Sequence, residues 1–586
     1  MTEQNFDISR RDLLRGGLAA AAVPAVSAGA FYFGYSKVKG SPVRVGVVGT
    51  GDEGSVLLGA INPDYIQVVS IADVRPYNQH RAFHGDCYSD AALKARPGLM
   101  SVYNWKTEAE ARSHVKVYQD YNELIANAKA DGVEAIIIGL PLHLHAPATV
   151  KALRLGLHVL TEKLMGHSVA NCKEMARQAK LSHRHLATGH QRHYNVLYAE
   201  AVDTIRRGVL GNIHYIRAQW HRGNSPGSDS WQQPMPKEIK PDDSLANQLA
   251  RELASWRREL DSARGADIAS WSRKIAQKEA QLQDHILAKG GEVAGRGEFK
   301  SAKGYGYEDG QYGDYKRPAA EELLRWRLWS RTGGGLMVEL GSHQLDAASI
   351  FLAANNDYYL DRTNSTKDRG QKIHPLRVHV SANRNLFGLD RQVNDHITTL
   401  VEFPAPDYDP TTISGRKRKI CVQYSTINGN GFGGYGEMVF GTAGTMLLAT
   451  EATKVVFRSD AATKVSAKAG AEAALDTQSS GPAQKAAGGG TADANVSRGY
   501  KEELEHWAWC IRENPNSADP TLQPRCHPKI ALGDAVIALV TNIAAEQGKS
   551  VAFKEEWFDP DHDATPETDI LNDPKGKPDL NKSIYG

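Results

Sequence analysis

Three glycines and one aspartate define the first chemistry open to this chain. Gly49, Gly51 and Gly54 stand in G-x-G-x-x-G spacing, and Asp73 follows Gly49 by 24 residues. Such a loop lets a phosphate chain reach the backbone. Gly49 permits a tight turn, Gly51 leaves room for a pyrophosphate, and Gly54 lets helix and strand pack closely. Thr50, Asp52 and Glu53 complete the loop, whose N–H groups at a helix N-terminus suit the pyrophosphate. Asp73 is placed to accept hydrogen bonds from the adenosine ribose and to repel a 2′-phosphate. The reading therefore favours NAD, while Arg75, two residues on, keeps NADP open.

A glycine pattern is weak by itself; its flanks give it meaning. The β-branched run Val43–Val48 reads as a buried strand, 55–60 as the start of a helix, and Ile66–Ala72 as a second strand ending at Asp73. Further apolar runs at 115–118, 133–139, 157–161 and 185–188 alternate with helical stretches. This argues for a parallel, doubly wound α/β sheet, a Rossmann domain over 41–192. Pro141 and His145 fall just after one of its strands, and Glu162 and Lys163 after the next, where ligands bind in such sheets. From about Tyr198 the pattern changes. Half-exposed, alternating runs at 213–220, 376–382, 396–403, 420–426 and 437–441 suggest an α+β domain over 193–560 with a large, mainly antiparallel sheet.

Two insertions interrupt that second domain. The first, 232–325, contains a charged helical hairpin over 245–287 turning at Gly265. Its apolar stripes read as packing surfaces. The Gly/Tyr run 304–315 fits either a sugar-site lining or an exposed loop. The second insertion, 461–496, is rich in Ala, Gly, Ser and Thr and is expected to lack fixed structure. Residues 561–586 read as a tail.

The 586 residues allow two or three domains, and a net charge of +2 gives no case for nucleic acid. Five scattered cysteines form neither a disulfide framework nor a metal-ligand spacing. The clusters His143/His145 and His183/His185 have no carboxylate or cysteine completing a site, so no metal is expected. Ser9 to Arg15 resembles a twin-arginine export signal, and an apolar run over 16–35 carries a small-residue site at 28–30. Residues 1–40 thus read as a targeting segment and the protein as periplasmic. The run, about 20 residues, is also long enough for an uncleaved membrane anchor.

The chain from 43 to 551, apart from the insertions, resembles the Gfo/Idh/MocA family, named for glucose–fructose oxidoreductase and inositol dehydrogenase. Four features carry the resemblance. They are the glycine loop with Asp73; Glu162-Lys163, matching a Glu-Lys-Pro motif; the run from Gly333 to Asp346, matching G-G-G-x-x-x-D-x-G-x-H-x-x-D; and EHWAWCIREN followed by a helix and Gly548. Two positions depart from the pattern. Leu164 replaces the proline that would fix the aim of Lys163, and Glu339 replaces an aspartate.

The resemblance implies hydride exchange between a secondary alcohol and a nicotinamide. His343 suits the base and Lys163 the positive group beside the developing alkoxide. Glu339 precedes His343 by four residues, on one helix face, and is expected to orient the imidazole or bind a hydroxyl. Asp346 is expected to act likewise, and Arg192 and Tyr194, after the last Rossmann strand, to meet substrate. The leading reading is an exported oxidoreductase that keeps its nucleotide, acts on a sugar, cyclitol or sugar derivative, and forms a homo-oligomer. The alternatives are a hydrolase working through transient oxidation and a non-catalytic sugar-binding protein.

Overall fold

A computed structural model describes residues 32–365, 369–458, 461–468 and 498–571. The twin-arginine motif and most of the 461–496 insertion lie outside the described residues. Strands β1 (Val43–Val48), β2 (Ile66–Ala72), β3 (Lys116–Tyr118), β4 (Ala135–Ile138), β5 (His158–Glu162) and β6 (Leu186–Gly189) form one sheet in the order 3-2-1-4-5-6. Every pairing in it is parallel. Crossover helices cover both faces of such a sheet, so its central strands are apolar throughout. Val43, Val45, Val47, Ile136 and Ile137 are accordingly sealed from solvent. Strand order reverses between β1 and β4, which opens a crevice at the carboxyl ends of the strands. Helix α1 (Asp52–Ala60) starts at that crevice, and helix α2 (Pro76–His84) follows β2.

The first insertion closes on this edge. Helices α3 (Gln248–Ser262) and α4 (Ala266–Gln283) form the expected hairpin around Gly265, whose φ of +56° favours glycine. Trp256 and Trp271 meet across it with ring centroids 6.3 Å apart. Leu249, Leu253 and Ile275 are buried, whereas Ile268, on the same stripe as Ile275, is exposed. On α4, Gln277 donates to Asp86 at 2.8 Å and accepts from the Cys87 amide at 2.5 Å, fastening the hairpin beside α2. Met235, Ile239, Leu287, Tyr307, Leu323 and Leu324 form a small core against Val74, the residue after Asp73.

The second sheet has nine strands: β7 (Ile213–Trp220), β8 (Arg377–Asn383), β9 (His396–Pro404), β10 (Lys419–Ile427), β11 (Tyr435–Gly441), β12 (Gly444–Ala449), β13 (Thr453–Arg458), β14 (Ala461–Lys468) and β15 (Val551–Ala552). Their order is 14-13-12-11-7-10-9-8-15. Only β7 and β10 pair in parallel. Along β9 and β10, buried and partly exposed residues alternate. The buried set, including Val401, Phe403, Val422 and Tyr424, shares a core with helices α5 (Ser342–Arg362) and α7 (Pro528–Gln547). Helix α7 is long and apolar enough to cross a membrane, yet 72% of its apolar window is buried inside the protein.

The structure departs from the sequence reading at three boundaries. Phe33, Tyr35 and Val38 are buried in the Rossmann core, so the folded part begins before residue 41. The Tyr35 hydroxyl donates to Glu505 at 2.6 Å, on helix α6 (Tyr500–Glu513), which packs into the same core through Leu504, Trp507 and Ile511. The start of the low-complexity insertion is strand β14, which pairs antiparallel with β13. The supposed tail is docked up to residue 571. Lys173 donates to the carbonyls of Glu556, His562 and Ala564, and the Val169 amide donates to Glu567 at 2.7 Å.

Candidate active site

The glycine loop has the geometry its spacing asks for. At Gly49, φ is +80° and an added Cβ would stand 2.5 Å from the Gly139 carbonyl oxygen. At Gly54 a Cβ would stand 2.0 Å from the Gly49 oxygen, which no side chain could survive. At Gly51 it would meet only the Asn78 amide nitrogen, 3.6 Å away. The space left at Gly51 belongs to a cavity of about 470 Å³ that also reaches Asp73, Pro141, His145, Glu162, Lys163 and Glu339. Gln233, residues 304–308, Leu323 and Leu324 of the insertion line its other side. These residues fit a dinucleotide: a tight glycine turn, an open approach to a helix N-terminus, and an acid at the end of β2.

The two acids in the first turn of α1 would oppose a pyrophosphate if both were free and charged, and neither is. Burial works against ionisation of Asp52, but the guanidiniums of Arg81, Arg96 and Arg327 outweigh it and hold the carboxyl well below its usual range. Arg81 donates to it at 2.8 Å and Gln233 at 3.2 Å, so Asp52 joins the loop to α2 and to the insertion. Burial pushes Glu53 the other way, towards its neutral form, against the pull of Lys163. Asp73 accepts from the Thr50 amide at 2.8 Å, from the Arg75 amide at 2.9 Å and from Asn78, so it holds the loop as well as facing the cavity. The Arg75 side chain, expected to keep NADP open, is instead paired with Asp284 of the insertion at 2.8 Å.

At the other end of the cavity Lys163 donates to the Glu339 carbonyl oxygen at 2.9 Å, with the Glu339 carboxylate 3.8 Å away. The Lys163–Leu164 peptide is cis although Leu164 stands where the family pattern has proline. His145 clasps the turn: its ring nitrogens lie 2.8 Å from the carbonyl oxygens of Leu164 and Leu140. With both nitrogens so engaged, His145 positions the lysine turn from the cavity wall. Glu162 accepts from the Lys163 amide at 3.1 Å, and burial together with Glu53 pushes its carboxyl well up.

Glu339 lies in a π-turn, Met337–Gly341, and His343 in the first turn of α5. The expected pairing of the two side chains is not made. Glu339 is drawn to two cations: Arg327 donates to it at 3.2 Å, and Lys163 stands close by. His343 Nδ1 has no hydrogen-bond partner among the described residues. The ring sits 5.6 Å from Trp220 and 6.2 Å from His190, centroid to centroid. Burial, then the Lys163 ammonium, then Arg192 and His190, hold its pKa well below the ordinary imidazole value. His343 is thus neutral at pH 7 and can take up a proton. It is not among the residues that line the cavity, although the Lys163 ammonium acts on it.

Three residues expected to meet substrate are placed elsewhere. Arg192 is buried and donates to Glu451 at 2.8 Å, Glu437 at 3.0 Å and the His343 carbonyl at 2.7 Å. Two inward-facing acids of the second domain claim its charge, and it holds the backbone of His343 instead. Tyr194 is buried with its hydroxyl 2.8 Å from His506 and accepting from the Arg525 amide. Asp346 is buried and 2.9 Å from His193, with Lys372 at 4.0 Å. His190, Asp346 and Asp534 bring ligand-type atoms within 4.8 Å of one another, as do His193, Cys526 and Asp534. Lys372, in contact with Asp534, supplies positive charge there. Sequence reasoning missed this convergence because its members come from four distant segments. It also missed Arg327, the partner of Glu339, which no motif marks.

The fold and site define a Rossmann domain whose glycine loop, helix N-terminus and Asp73 suit a dinucleotide. Residues 43–190 match the model of the Gfo/Idh/MocA family, described as an oxidoreductase family with an NAD-binding Rossmann fold. An uncharacterised oxidoreductase of Schizosaccharomyces pombe is 32% identical over 21% of this chain and 34% of its own. A glycosyl hydrolase family 109 protein of Solibacter usitatus is 22% identical over 36% of this chain and 46% of its own. The chain thus spans a third to a half of the length of these curated relatives. An inositol dehydrogenase homologue from Azotobacter vinelandii, solved with NADH and myo-inositol, shares the fold. Its TM-score is 0.52 at 12% identity, over 89% of this chain and 100% of that one.

Two outcomes follow from the placement of charge. Because His343 stays deprotonated below its usual pKa, the acid limb of any kcat/KM profile that it governs should lie below the ordinary imidazole value. His343→Asn should remove that limb and lower kcat by about 10²- to 10⁴-fold, with NADH binding by calorimetry retained. Arg192→Met should cost about 3–5 kcal/mol of stability by urea denaturation, because it strands buried acids. A stable Arg192→Met protein with a raised substrate KM would return Arg192 to the substrate site.

Proposed function

We propose that this chain is an exported NAD-dependent oxidoreductase acting on a secondary hydroxyl of a sugar, cyclitol or sugar derivative. The observation that carries the reading is that Lys163 and Glu339 line the same cavity as the glycine loop, and that the Lys163 ammonium acts on a neutral His343. The bound nicotinamide would supply hydride acceptance and donation. The protein's own groups then manage the proton and the charge. Lys163 donates a hydrogen bond to the substrate oxygen and balances negative charge as the hydroxyl proton leaves. His343 takes that proton, directly or through a water. Glu339, held by Arg327, keeps Lys163 from swinging away and offers an acceptor to a neighbouring hydroxyl.

The twin-arginine motif supports export in the folded, nucleotide-loaded form. An exported enzyme has little access to the cytoplasmic nucleotide pool, and the insertion that lines the cavity supports a nucleotide that stays bound and cycles between two substrates. The partly exposed face of the nine-stranded sheet suits contact with a second copy of the chain. Lysine substitution of Arg10 and Arg11 should trap the protein in the cytoplasm, read by fractionation, if the export signal is real.

A second reading has its own support. The Solibacter relative is named a glycosyl hydrolase, and transient oxidation beside a glycosidic bond would use the same Lys163 and His343. Incubating the purified protein with sugar pairs and with aryl glycosides, no nucleotide added, separates the cases. One sugar oxidised and another reduced supports the oxidoreductase. Aryl alcohol released without net redox favours the hydrolase. Sugar binding without turnover would overturn both in favour of a binding protein.

A further inference from the structure

The choice between the two dinucleotides falls at a corner that the insertion controls. Asp73 and Arg75 both line the cavity at the end of β2. In dinucleotide-binding folds an acid here takes the ribose hydroxyls, whereas an arginine nearby accommodates a 2′-phosphate. This chain carries both, so its sequence is ambiguous at the point that matters.

Asp284, just past the C-terminal end of α4, resolves the ambiguity. Its Oδ2 accepts from Arg75 Nε at 2.9 Å and stands 2.8 Å from Arg75 Nη2. Its Oδ1 accepts from the Tyr77 amide at 3.2 Å, at the start of α2. The Asp284 side chain is 1% exposed and that of Arg75 12%. Both guanidinium nitrogens thus share one carboxylate oxygen, in a charge-assisted contact shielded from water. It is also held in place from outside itself: Leu287, three residues on, packs in the insertion core against Val74, between Asp73 and Arg75. The corner therefore presents two carboxylates, Asp73 and Asp284, to one guanidinium that is already engaged. A 2′-phosphate would arrive with added negative charge and find no free cation in Arg75.

We propose that Asp284 is a specificity-determining residue: by pinning Arg75 it withholds the guanidinium from a 2′-phosphate and selects NAD over NADP. The discrimination is then written by the insertion, not by the Rossmann unit alone. The inference rests on the reading of the cavity as a dinucleotide site.

The test titrates NADH and NADPH into nucleotide-stripped full-length protein, by calorimetry and nicotinamide fluorescence. Asp284→Asn keeps the shape and the acceptor for Tyr77 while removing the charge. It should tighten NADPH binding by about tenfold or more relative to wild type, with a much smaller change for NADH. Adding Arg75→Gln should abolish that gain. Arg75→Gln alone should leave NADPH affinity within about threefold of wild type, and it decides the matter should the Asn variant fail to fold. An unchanged NADPH-to-NADH ratio in folded Asp284→Asn would overturn the proposal. So would a gain that survives without Arg75, or a large selective loss of NADPH in Arg75→Gln alone. A wild-type protein that binds neither nucleotide would sink the dinucleotide reading itself, and this inference with it.

Discussion

One ammonium set among buried carboxylates is the constraint on which the site depends. Lys163 acts on Glu53, Glu162 and Glu339, all within its field and all shielded from water. A single cation cannot balance three anions in such surroundings, and burying an unpaired charge is costly. The structure divides the problem. Glu339 stays ionised because Arg327 joins Lys163 beside it. Glu53 and Glu162 are pushed towards the neutral form by burial, and Glu162 also by Glu53. Glu503 on α6, with no hydrogen-bond partner on either oxygen among the described residues, is pushed up in the same way. The same ammonium adds to burial, the larger cause, in keeping His343 neutral.

That lysine is held by elements far apart in sequence. His145 clasps its turn, the Glu339 carbonyl accepts a hydrogen bond from it, and Arg192 holds the backbone of His343 against β11 and the Glu451 turn. The Rossmann sheet supplies Lys163 and the second domain supplies Glu339, Arg327 and His343. These groups come together only where the two meet. The insertion closes the other end through Gln233, Asp284 and Gln277, each bonded to a residue of the nucleotide edge. Helix α6 and residues 33–38 return to the Rossmann core and fasten its outer face.

The β1–α1–β2 unit was legible because its signals are local: apolar runs set strands, and close packing demands glycine at Gly49 and Gly54. The two-domain plan was legible because half-exposed strands alternate and doubly covered ones do not. Lys163 and His343 came from motif resemblance, which reports position without orientation. Arg192, Tyr194 and Asp346 were misplaced for that reason. Each follows or carries a motif, but their charges and hydroxyls are claimed by Glu437, Glu451, His506, His193 and Lys372, partners from distant segments that no spacing rule connects. The Glu339–His343 pairing failed because a π-turn and two nearby cations override the i, i+4 rule. The docked tail and residues 33–38 were missed because short segments with a few aromatic or charged anchors carry no periodic signal.

The most direct measurement is the identity and amount of nucleotide released when the full-length protein, purified without added cofactor, is denatured and analysed by mass spectrometry. A cavity built for NAD and closed by the insertion should release NAD in near-stoichiometric amount. Protein that releases no nucleotide, and binds neither NAD nor NADP by calorimetry, would contradict the account at its centre.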